Sequence, residues 1–146
     1  MLLAVLSLLA TATATAQHVS YRFTPHYNER VDYFEQLADI DSTKIVMLGN
    51  SLTENGGDWA QRVGTGLKVV NRGIIGDNTV GMTRRLCQIT PHRPLAIFLM
   101  AGINDMVGNT SYEQVANRVI ALIETIRSQS PQTTLFVESL LPINET

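Results

Sequence analysis

Four short apolar runs rich in β-branched residues, separated by segments of helical periodicity, constrain the fold of this chain more than any other feature. They are Lys44–Gly49 (KIVMLG), Leu67–Asn71 (LKVVN), Leu95–Ala101 (LAIFLMA) and Thr133–Leu140 (TTLFVESL). Near-continuous apolar runs of this length fit strands covered on both faces, as in a parallel sheet. Between them, Asn28 is expected to cap a helix carrying Val31, Phe34, Leu37 and Ala38 on one face. Thr110 and Glu113 form a capping-box pair ahead of Val115, Val119, Leu122, Ile123 and Ile126, a helix expected to run to about Gln129, where Ser130-Pro131 stops it. Shorter helical signals lie at Trp59–Val63 and Asn78–Leu86. Strand and helix alternating at this spacing predict an α/β fold of βαβ units with right-handed crossovers. No repeat, low-complexity tract or charge block interrupts it, so one domain is expected.

With 146 residues and a formal net charge of −2, the chain offers no electrostatic case for nucleic acid or an anionic membrane as partner. A single cysteine, Cys87, excludes a disulfide framework and a cysteine-based zinc site, and is expected as a free thiol. No metal-ligand cluster is evident, so no metal or cofactor is implied. The first sixteen residues stand apart. Met1–Ala10 is almost wholly apolar, and Ala14-Thr15-Ala16 precedes Gln17, which reads as a signal peptide cleaved after Ala16, although no Lys or Arg precedes the run. The run is too short for a membrane span, which needs about 20 apolar residues. A secreted or periplasmic domain of residues 17–146 is the expectation.

In an open parallel sheet, ligands bind beyond the carboxyl ends of the strands. The first strand is followed by Gly49-Asn50-Ser51-Leu52-Thr53-Glu54, the second by Asn71-Arg72-Gly73-Ile74-Ile75-Gly76-Asp77-Asn78, and the third by Gly102-Ile103-Asn104-Asp105. Any one alone is an ordinary turn. Together they set a hydroxyl, Ser51, near helix-terminal N–H groups, a glycine, Gly76, whose N–H can approach a substrate oxygen, and an amide donor, Asn104. One hydroxyl nucleophile and three donors from separate loops are the parts of an acyl-transfer site with an oxyanion hole.

The strings GNSLTE, NRGIIGDNT and GIND resemble the first three blocks of the SGNH (GDSL-like) hydrolase family of esterases and lipases, over roughly Lys44 to Asn144. The spellings NRGIIGDNT and GIND are most similar to secreted bacterial acetylesterases and the platelet-activating-factor acetylhydrolase-like branch. The resemblance implies a three-layer α/β/α sandwich, flavodoxin-like. It also implies Ser51 as nucleophile, with an oxyanion hole of the Ser51 N–H, the Gly76 N–H and the Asn104 side chain. The implied substrate is a small ester, such as an O-acetylated carbohydrate or lipid.

Two positions depart from the family pattern. Asn50 stands where the name-giving motif has Asp, a position that supports the turn more than the chemistry. The family's Asp-x-x-His, which supplies the general base, does not occur before Thr146. His92 leads into the third strand and so belongs at the far end of the sheet from Ser51, a strand length of roughly 23 Å away. His18 and His26 are expected to be solvated. Ser51 would then keep an unactivated hydroxyl. The chain is expected to be the N-terminal portion of a longer esterase, lacking the final strand and helix and inactive alone, with TTLFVESL left as an apolar edge.

A non-catalytic carbohydrate- or lipid-binding domain that keeps the pocket without the base is the alternative. A phosphate or nucleotide binder is weaker: no phosphate-binding glycine motif is present, and Asp77 and Glu54 would repel phosphate. Asp105 is expected to be structural, and Met47, Met82 and Met100 to lie in the core. Arg72 is open between pairing with an acid and facing water. Trp59 is open between lining the cleft and stapling its helix to the sheet.

Overall fold

A computed structural model of the chain describes residues 23–64, 66–106 and 109–140. The expected leader, Met1–Ala16, and the end of the resembling region, Leu141–Asn144, lie outside these residues. Strands β1 (Lys44–Gly49), β2 (Lys68–Gly73), β3 (Ala96–Leu99) and β4 (Thr134–Val137) form one sheet in the order β2-β1-β3-β4. Every neighbouring pair is parallel. β2 runs two residues past Asn71, because Arg72 and Gly73 pair with Leu48 and Gly49. β3 and β4 are shorter than their apolar runs.

Helix α1 (Pro25–Leu37) starts earlier than expected, and Asn28 is not its cap. The Thr24 hydroxyl accepts the Tyr27 N–H at 3.1 Å. Pro25, next in the chain, has the φ a helix needs and lacks the N–H that would go unpaired there. α2 (Ser51–Asn55) and α3 (Trp59–Val63) follow β1, and α4 (Thr79–Arg84) follows β2. Asn78 caps α4, which continues into 3₁₀ turns at Arg85–Gln88 and Thr90–His92. α5 (Tyr112–Gln129) ends where expected, but its capping box is Ser111 with Gln114 instead of Thr110 with Glu113. Both pairs fit the pattern one residue apart. The Ser111 hydroxyl accepts the Gln114 N–H at 3.2 Å while the Gln114 side chain accepts the Ser111 N–H at 3.0 Å.

Register sorts the strand residues by face. Val70, Val46, Ile97 and Leu135 are aligned across the four strands, and with Leu48 and Leu99 they pack against Met82, Leu86, Ile89, Leu122 and Ile126 from the α4 and α5 side. α1 extends this layer with a smaller cluster of Tyr27, Phe34 and Ile74. On the other face, the Asn71 amide donates to the carbonyls of Thr53 and Glu54 at 2.9 and 3.2 Å, which seats α2 over β1 and β2. Helices thus flank a parallel sheet on both faces, an α/β arrangement consistent with the flavodoxin-like expectation. β4 is one of the two outer strands among the described residues, with Phe136 and Val137 about half exposed and Phe136 stacked on Phe98 at 4.6 Å. Met82 is fully buried, whereas Met47 and Met100 are half-buried. Among the described residues, no helix is long and apolar enough to cross a membrane.

Candidate active site

β1 and β2 end side by side in paired glycines, Gly49 and Gly73. A Cβ on Gly73 would lie 2.1 Å from the backbone N of Glu54, and one on Gly49 would lie 2.0 Å from the Thr53 hydroxyl oxygen. The two glycines form a notch into which α2 drops directly after β1. Buried Asn50 caps that helix, accepting the Leu52 N–H at 3.0 Å, so its side chain supports the turn as expected. Ser51, partly exposed, is the first residue of α2, where backbone N–H groups have no partner within the helix.

Gly76 sits in a tight turn after β2, closed by the Asp77 N–H donating to the Ile74 carbonyl at 3.1 Å. Its φ of +78° is the value required of the third residue of a type II turn, which glycine adopts without strain. The turn tip, Ile75 and Gly76, is exposed. On its far side the Asn104 amide donates to the Asp77 carbonyl at 2.8 Å, which fixes the plane of the amide and leaves its second N–H for another acceptor. Asn104 lies in a 3₁₀ turn, Ile103–Asp105, in the loop that follows β3. Asp105 is buried and accepts the Thr79 N–H at 3.1 Å together with the Thr79 hydroxyl, anchoring this turn to the start of α4. Its expected structural role therefore has a definite form. The loops bearing Ser51, Gly76 and Asn104 meet at one end of the sheet.

Two ionic clusters, one around Asp77 and one around Glu54, hold these loops, and neither was anticipated. Arg85 donates through Nε to Asp77 at 2.9 Å and through Nη2 to the Gly49 carbonyl at 3.1 Å, with both side chains essentially fully buried. Glu54 is bracketed by His26 at 3.0 Å and Arg30 at 3.3 Å, and also accepts the Ile75 N–H at 2.6 Å. His26 is thus not simply solvated: its ring is 43% exposed, and its Nε2 is engaged with a carboxylate. Each acid thought to repel phosphate is matched by a cation, which weakens that electrostatic argument.

Arg72 resolves toward pairing. It is buried against Asp39 and its guanidinium lies 4.7 Å from the centre of the Phe34 ring. Burial lowers its pKa and Asp39 opposes that shift. Trp59 ties its helix to α2 instead of to the sheet: its indole N–H donates to the Thr53 carbonyl at 2.9 Å, and its ring lines a cavity of about 640 Å³ with Arg30, Tyr33, Glu54, Asn71 and Arg72. That cavity opens at the β2 edge, and Ser51, Gly76 and Asn104 do not line it. His92 is exposed in the turn before β3, at the opposite end of the sheet, as expected, and His18 lies outside the described residues. Cys87 is a free, exposed thiol.

The missed residues had sequence signals of two kinds. Arg85 lies three residues after Met82 and four before Ile89, on the face that carries the core, which marks it as a buried cation needing an acid. Glu54 follows Ser51 by three residues, on the same side of a helix. Their partners, 8 to 36 residues away, become neighbours only through the fold.

Residues 47–146, over two thirds of the chain, match the GDSL-like Lipase/Acylhydrolase family. No curated protein matches. Among solved structures, a protein of Streptococcus pneumonia assigned as a platelet activating factor is 24% identical over 82% of this chain, with a TM-score of 0.67. A GDSL-like lipase from Bacteroides thetaiotaomicron VPI-5482 is 18% identical over 76% of this chain, with a TM-score of 0.59. A Bacteroides fragilis NCTC 9343 protein assigned as an acylhydrolase is 18% identical over 72%, also at 0.59. At these identities the likeness is one of fold. The chain spans 57%, 56% and 54% of those three proteins respectively.

Proposed function

Because the chain belongs to the GDSL-like lipase/acylhydrolase family, we propose that it carries the nucleophile and oxyanion hole of a serine esterase acting on small carboxylic esters, acetyl esters first among them. In this reading the Ser51 hydroxyl attacks the ester carbonyl and the alcohol departs. Water then hydrolyses the acyl-enzyme. The N–H groups of Ser51 and Gly76 and the free amide N–H of Asn104 receive the oxyanion of each tetrahedral intermediate. The observation that carries the reading is the bond from Asn104 to the Asp77 carbonyl, because it ties one candidate donor to the residue next to the other.

Among the described residues, His26 is engaged by Glu54 and His92 lies at the far end of the sheet. The general base is accordingly assigned to a segment outside the described residues. The same observation favours one alternative, a carbohydrate- or lipid-binding domain without turnover. From the apolar Met1–Ala16 segment we further propose export to the periplasm or medium, with Gln17 as the mature N-terminus.

The test is Ser51-dependent hydrolysis of p-nitrophenyl acetate by the full-length gene product, with covalent capture by a fluorophosphonate. Turnover and labelling that vanish in Ser51→Ala are expected. Ester or glycan binding with no turnover in the wild type would establish the alternative.

A further inference from the structure

We infer that Glu54 is a positioning residue: its carboxylate clamps the turn bearing Gly76 to the helix that begins with Ser51, and so sets the oxyanion donors relative to the hydroxyl. The inference rests on the esterase reading above and extends it to a residue to which that reading gives no role.

The Ile74–Asp77 turn is held at three places. At its base the Ile74 N–H donates to the Gly49 carbonyl at 3.1 Å, and at its exit Asp77 is fixed by Asn104 and Arg85. At its tip packing contributes little, since the Ile75 side chain is 47% exposed and Gly76 has no side chain. The central peptide of such a turn, between Ile75 and Gly76, is the unit that rotates when a type II turn converts to type I. That rotation reverses the Gly76 N–H. The bond at the tip is the one from the Ile75 N–H to Glu54 at 2.6 Å, which fixes the peptide next to the one that rotates.

Glu54 is itself well placed to act as a fixed post. It projects from α2 one helical turn after Ser51, its side chain is 15% exposed, and His26 and Arg30 of α1 hold the carboxylate from the other side. Movement of the post would shift the Gly76 N–H relative to Ser51, weakening a contact made to the oxyanion and not to the bound ester. A displacement of about 1 Å at an acyl-transfer site lowers turnover by roughly 10²-fold.

The test uses the full-length product and compares Glu54→Leu, which removes the acceptor, with Glu54→Gln, which keeps an oxygen for the Ile75 N–H. Expected are a fall in kcat of about 10²-fold in Glu54→Leu with KM nearly unchanged, and recovery of most of that loss in Glu54→Gln. Hydrogen exchange at the Ile75 amide should accelerate at least about tenfold in Glu54→Leu. If that variant does not fold, Glu54→Asp, one methylene shorter with the charge kept, must show the same kcat loss. A kcat within about threefold of wild type in the folded variant, or an unchanged Ile75 exchange rate, overturns the inference. Wild-type turnover that survives Ser51→Ala sinks the esterase reading instead. The Ile75 exchange rate then decides the clamp by itself.

Discussion

Arg85 and Asp77 form an ion pair at 2.9 Å with 1% and 0% of their side chains exposed, and the same guanidinium reaches the Gly49 carbonyl at 3.1 Å. One buried cation therefore joins the residue two before Ser51 to the residue just after Gly76. Removing one partner of a buried pair leaves an uncompensated charge, which typically costs about 3–5 kcal/mol. Arg85→Met is expected to lose that much in urea unfolding. The double variant Arg85→Met/Asp77→Asn, with no buried charge, should regain a measurable part. Equal loss in both would mean that the pair is not what holds the two loops.

The glycines of the site divide into two kinds. Gly73→Ala places a methyl group against the Glu54 backbone and must lift α2, so a loss of about 1–3 kcal/mol or more is expected, with activity lost as well. Gly76→Ala meets no atom within 4 Å, and only its φ of +78° opposes it. That strain is about 1–2 kcal/mol. Thermal unfolding and esterase assays together should rank Gly73→Ala as the worse for stability, while Gly76→Ala lowers kcat at modest thermal cost.

Asn104→Ala removes a proposed oxyanion donor and one hydrogen bond to Asp77. Loss of a single such donor lowers kcat by about 10²–10³-fold. Loss of the hydrogen bond should lower stability by only about 1 kcal/mol. Kinetics beside denaturation curves would check the separation. A parallel loss of both would assign Asn104 to the scaffold alone.

Tyr27 supplies a pH signature. Its hydroxyl donates to the Gly81 carbonyl at 2.8 Å, and burial, followed by the charge of Asp77, pushes its pKa up to about 12 from 10.0. The folded state thus holds this proton more tightly than the unfolded chain. Its contribution is fully present below pH 10 and is lost as pH rises through about 12, an effect on the order of 1–3 kcal/mol. Tyr27→Phe should flatten that alkaline fall in unfolding free energy. A slope unchanged by the substitution would assign the fall to other groups.

The strands were legible because a buried parallel strand announces itself in a few consecutive residues, as Lys44–Gly49 does. Helix starts were less so. Thr110 and Ser111 both satisfy the capping pattern, and side-chain bonds select the second. The Thr24-Pro25 pair was the better signal at α1, since Pro25 fixes the first helical φ while Asn28 lies within the first turns. The motif residues Ser51, Gly76 and Asn104 could be singled out because each lies within a few residues of the end of a strand. Their supports were only half legible. The placing of Arg85 on the core face and of Glu54 one turn after Ser51 is local, but Glu54 meets His26 across 28 residues and Ile75 across 21, and no local pattern names those partners.

Gly49 and Gly73 also bear on how this chain can vary through descent. No amino acid is smaller than glycine, so every replacement at either position adds at least a Cβ. That atom would fall within 2.0–2.1 Å of α2. Neither position therefore has a neutral mutational neighbour. A surface residue can drift and return, whereas these two can only be kept or be compensated by a displaced helix. Two residues that take no part in any bond-making step thereby restrict inheritance at the end of the sheet as tightly as a reactive group would.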